Sequence, residues 1–101
     1  MKVSDAHSRV INGFIASVLD LPHASKFHFF EKISGMKMVL ESMVNQGFEI
    51  TICRNHDVGI FVEASMPDQS FAEGRRGYAL SGSDLGRTVA EVFCLVNGWK
   101  E

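Results

Sequence analysis

At Gly47 the spacing of apolar residues changes period, and no other feature constrains the fold of this chain as much. Before it, Ile33, Met36, Val39, Leu40, Met43 and Val44 recur every three or four positions, the spacing of one helical face. After it, Phe48, Ile50 and Ile52 alternate with Glu49, Thr51 and Cys53, the two-residue period of a strand with unlike sides. Gly47 can take the left-handed conformation that closes a helix, with Phe48 folding back on Met43 or Val44. Asn55, His56 and Asp57 then turn the chain, and Val58, Ile60 and Val62 alternate with Gly59, Phe61 and Glu63. A helix followed by a β-hairpin is predicted.

The flanks extend this unit. Over residues 5–21, Val10, Ile11, Phe14, Ile15, Val18 and Leu19 form a wide apolar stripe, with Ser4 or Asp5 as the expected cap and Pro22 as the stop. Gly13 falls on the polar side of that helix. The segment 23–30 holds Phe27, Phe29 and Phe30 without a clear period and reads as a connector pinned by aromatics. Residues 66–74 read as an exposed loop, Gly77 to Leu80 as a third strand, and Ser81 to Asp84 as the cap of a last helix. That helix carries Leu85, Val89, Val92, Phe93 and Val96 on one stripe and ends at Asn97-Gly98.

The expected fold is therefore α+β: a three-stranded antiparallel sheet in an α-β-β-β-α core over 33–98, an added N-terminal helix within 1–22, and a connector over 23–32. Helices are predicted near 6–20, 33–46 and 84–97, and a chain of 101 residues makes this one domain. One sheet face, with Phe48, Ile50, Ile52, Val58, Ile60 and Val62, is expected under two helices. The other carries Thr51, Cys53 and Phe61, and periodicity leaves open whether the first helix packs there or beside the others.

Charge and chemistry exclude several functions. The net charge is −2 with the signs interspersed, so bulk attraction to nucleic acid or anionic lipid is not expected. Nowhere do about 18 apolar residues run together, so a cytoplasmic protein that avoids membranes is expected. Cys53 and Cys94 stand far apart and are read as reduced thiols. His7, His23, His28 and His56 are scattered, which predicts neither a metal site nor a cofactor. His56-Asp57 lacks a serine on a strand-to-helix elbow, and Glu49 with Glu63, a potential carboxylate pair across the hairpin, reads as a solvated edge. No catalytic residue is predicted, and the chain is read as a non-enzyme.

What remains is binding. Phe27, Phe29, Met38, Met66, Phe71 and Tyr78 exceed what so small a core needs, and methionine and aromatic side chains adapt well to partner surfaces. Arg75 and Arg76, between Gly74 and Gly77, can fork onto a carboxylate or phosphate. These eight residues are the expected partner-binding set. The stripe Val10, Ile11, Phe14, Ile15, Val18 and Leu19 is the expected interface of a homodimer in which each copy docks its first helix on the other's sheet.

From Phe30 to Gly98 the chain resembles the phage ABA sandwich family of small bacteriophage and prophage domains. The resemblance lies in FFEKISGMKMVLESMVNQGF, EITICRNHDVGIFVEA and GYALSGSDLGRTVAEVFCLVNG. That family has no assigned biochemical activity and implies no catalytic residues. With the small, acidic, motif-poor chain and its surplus apolar side chains, the resemblance leads to the expectation of a phage- or prophage-type protein of the bacterial host cytoplasm that binds and modulates a host protein complex such as a defence system. The order helix, three strands, helix is also that of the double-stranded RNA-binding domain, which supplies the alternative of a nucleic-acid-binding module. Such a domain needs a lysine cluster where this chain has Ser83-Asp84-Leu85-Gly86-Arg87. A basic patch would have to form from Arg54, Arg75, Arg76 and Arg87.

Overall fold

A computed structural model describes residues 1–21, 32–57, 59–66 and 77–100. A 3-10 turn at Val3–Asp5 precedes α1 (Ser8–Val18) and α2 (Ile33–Asn45); β1 (Glu49–Asn55), β2 (Gly59–Ser65) and β3 (Gly77–Gly82) follow, and α3 (Leu85–Val96) closes the chain. The sheet is antiparallel with strand order β1-β2-β3. The α+β class expected from the sequence is the one observed. The connector with Phe27, Phe29 and Phe30, most of the 66–74 loop, Pro22, Val58, Arg75 and Arg76 lie outside the described residues.

Strand alternation sorts the side chains. Cross-strand rows Ile50–Ala64–Tyr78 and Ile52–Val62–Leu80 point toward the helices, and Thr51–Glu63–Ala79 and Cys53–Phe61–Ser81 point away. α3 packs on β2 and β3, α2 lies beside it over β1, and α1 packs against α3. The first helix thus joins the helical layer and leaves the outer sheet face to Thr51, Cys53 and Phe61. One expectation fails: Ile52 is 45% exposed, because α2 meets β1 only at its Ile50 end.

α3 is buried more completely than its stripe predicts. Besides Val89, Val92 and Phe93, it buries Thr88, Ala90, Glu91 and Cys94, since α1, α2 and the sheet surround it. A helix enclosed on several sides shows little of the one-faced pattern of a surface helix.

All three described helices end alike. At α2, Phe48 N–H donates to Met43 O (3.1 Å) and Gly47 N–H to Val44 O (3.0 Å), with Gly47 at φ 97°. At α3, Trp99 N–H reaches Cys94 O (2.9 Å) past Gly98, and at α1, Leu21 N–H reaches Ala16 O (2.9 Å) past Asp20 at φ 57°. Each closure folds an apolar side chain, Leu21, Phe48 or Trp99, back onto the protein. The end of α1 is therefore set at Asp20, ahead of Pro22. Its start also differs from expectation, because Ser4 and Asp5 are used in the 3-10 turn and His7 Nδ1 accepts from Arg9 N–H (3.1 Å) as the cap.

Two glycine substitutions test the packing. A Cβ on Gly13 meets nothing within 4 Å, so Gly13→Ala should raise stability by about 0.5–1 kcal/mol through helix propensity. A Cβ on Gly82 runs into the Thr88 hydroxyl, which donates to Asp84 O (2.7 Å), so Gly82→Ala should cost about 1–3 kcal/mol. Urea unfolding of the two variants should move the midpoint in opposite directions.

Candidate binding surfaces

The sequence-predicted residues separate once placed in the fold. Within the α1 stripe, Ile11 and Ile15 are fully buried in this chain's own core, and Leu19 packs against that core. Phe14 lies edge-on to Trp99 with ring centroids 5.3 Å apart. Val10 and Val18 stay exposed. Met66 and Tyr78 are half-buried against the core, Tyr78 edge-on to Phe48 at 6.5 Å. Phe27, Phe29, Phe71, Arg75 and Arg76 lie outside the described residues.

Two residues from different predicted sets come together. Leu19 and Met38 line an open groove between the end of α1 and the outer side of α2, with Leu21, Glu41, Ser42, Asn45 and Gln46. The turn at Asp20 builds it, because it folds Leu21 back toward the helices. The apolar side chains come from the α1 end and Met38, and the polar ones from α2, where Gln46 Nε2 donates to Ser42 Oγ (3.3 Å). An apolar floor with a polar rim suits an apolar anchor from another molecule. Leu21 was missed in the sequence because its role depends on a positive φ at a non-glycine residue.

The proposed basic patch does not form at Arg87. Its Nε donates to Glu91 Oε1 (2.9 Å), Nη2 to the carbonyls of Ala6 (2.6 Å) and Val3 (3.3 Å), and Nη1 to Ser8 Oγ (3.3 Å). The guanidinium is thus turned into the protein, while Arg54 is exposed on β1. The carboxylate pair set aside in the sequence does not form as a direct cross-strand pair: Glu63 stands opposite Thr51 and Glu49 opposite Ser65. At the hairpin turn, Asn55 Oδ1 accepts from Asp57 N–H (2.8 Å), the backbone role expected of that residue type.

Among the described residues no group of three or more His, Cys, Asp or Glu is placed to hold a metal ion. No described helix is long and apolar enough to cross a membrane. Cys53 is exposed and Cys94 buried. Burial pushes the Cys94 thiol up from 9.0 to about 12; the nearby Arg87 charge opposes this and Glu91 adds to it. Comparison with protein-family models, with curated proteins and with solved structures finds no match.

The thiols should behave differently. At pH 8, Cys53 should react quickly with an aromatic disulfide reagent and Cys94 only after unfolding, as counted by absorbance with and without denaturant. The raised thiol also sets a sign for stability. The unfolded chain loses the Cys94 proton from about pH 9 and the folded chain only near 12, so its contribution is complete below 9 and is lost as pH rises toward 12. Unfolding free energy should fall across that window by about 1.4 kcal/mol per pH unit from this group, a component that Cys94→Ala should remove.

Proposed function

We propose that this is a non-catalytic binding module that engages another protein through the groove between α1 and α2. The observation that carries the reading is the meeting of Leu19, Leu21 and the 38% exposed Met38 in one open concavity with a polar edge. A surface methionine beside two leucines offers adaptable apolar contact area to a partner's anchoring side chain. The resemblance to phage ABA sandwich domains supplies the context of a phage- or prophage-type protein that modulates a host complex, such as a defence system, in the bacterial cytoplasm. The RNA-binding alternative draws support from the order α2-β1-β2-β3-α3 with both helices on one sheet face. Against it, Arg87 at the start of α3 is engaged inside the protein.

The groove reading is tested by affinity capture from bacterial lysate with the parent protein and with Met38→Glu, after circular dichroism shows both folded. Proteins held by the parent and lost by the variant are the expected result. An identical set with both, or binding only to RNA that weakens steeply with salt, would contradict it.

A further inference from the structure

Among the described residues β1 is an outer strand of the sheet, and no described strand pairs with the backbone N–H and C=O groups on one of its sides. β3, the other outer strand, has one face packed under α3, whereas most of β1 is uncovered. Ile50 is half-buried, and Thr51, Ile52, Cys53, Arg54 and Asn55 are all exposed. The course of α2 explains this. It begins beside the start of α3, where Lys32, Ile33 and Met36 share a pocket with residues 83–86, and ends at the head of β1. Its path is therefore oblique to the sheet and leaves the hairpin half of β1 bare.

Sheet edges that must stay unpaired are usually interrupted by a bulge, a proline or a lysine. β1 has no bulge, proline or lysine, its charged residues Glu49 and Arg54 stand near its two ends, and its seven residues pair one to one with β2. The strand is also complementary to itself in the antiparallel sense. In-register parallel pairing would set Glu49 beside Glu49 and Arg54 beside Arg54, whereas antiparallel pairing about Ile52 sets Glu49 opposite Asn55 and Arg54 opposite Ile50, which keeps like charges apart. A twofold axis normal to the sheet requires residues of one face to oppose each other. With Ile52 on the axis, two isoleucines, each 45% exposed in the single chain, cover one another on the helical side, and Thr51 opposes Cys53 on the other.

We propose that the free edge of β1 pairs antiparallel with β1 of a second copy of this chain, about a twofold axis near Ile52, making one continuous sheet. α1 stays on its own chain in this dimer, unlike the helix exchange expected from sequence, and the α1–α2 groove stays open on each copy. So short an edge covers less than the ~800 Å² per partner of a standard interface, so the association is concentration-dependent.

Sedimentation velocity over a concentration series tests this, with a short thiol-to-thiol cross-linker as a second readout. The expected mass rises from one chain to two, and cross-linking gives a dimer through Cys53 that Cys53→Ser abolishes. Ile52→Lys, checked for folding by circular dichroism, should raise the dissociation constant about tenfold or more. In the unaltered protein, amide exchange in β1 should slow with concentration and exchange in β3 should not. A one-chain mass up to millimolar concentration, or a dimer that Ile52→Lys leaves intact and β1 exchange does not sense, would overturn the proposal.

Discussion

One half-buried guanidinium ties the two ends of this chain together. Arg87, in the first turn of α3, pairs with Glu91 one turn on and donates to the carbonyls of Val3 and Ala6 and to Ser8 Oγ. Moving a charged arginine and a glutamate out of water is costly, and the cost is offset only when the pair is well made and the remaining donors are satisfied. Here the pair is 2.9 Å long and the N-terminal carbonyls take the rest of the fork. The 3-10 turn is shaped to present those carbonyls, and Val3 beneath it is fully buried. Trp99 adds a second tie, its indole N–H donating to Met1 O (3.0 Å) while its ring packs on Phe14.

The rest of the architecture follows from holding the N-terminus there. With its start fixed against α3, α1 lays Ile11 and Ile15 into the core and delivers Leu19 and Leu21 beside α2. No described helix covers the outer sheet face or most of β1, because the described helices gather on one side. Groove and edge are therefore separate consequences of one arrangement, one made by the end of α1 and the other by the oblique path of α2.

Much of the fold was legible because it is written locally. The change of period at Gly47, the Asp84 cap that accepts from Arg87 N–H and the Asn97-Gly98 stop all act within a few residues. The errors arise where partners are distant or two local signals compete. Arg87 followed by Glu91 is visible as a helical ion pair, but its carbonyl partners lie 81 and 84 positions away and have no sequence signature. Ser4 and Asp5 are good caps by type, yet His7 holds the position because the turn before it is recruited by Arg87. Ile52 fits the alternation that predicts burial and is exposed because the axis of α2 does not follow β1. Of the candidate site, Met38 was legible as surplus apolar surface. Its meeting with Leu19 and Leu21 was not, since it depends on tertiary placement.

The most direct test is urea unfolding of Arg87→Met, read together with amide exchange at the N-terminus. Removing the guanidinium leaves the Glu91 carboxylate buried without its ion-pair partner, and the account predicts a loss of about 3–5 kcal/mol. It further predicts that amides over 3–11 lose protection while those of β2 keep theirs relative to the new global stability. A loss under about 0.5 kcal/mol with N-terminal protection unchanged would show that the guanidinium does not hold the chain ends together.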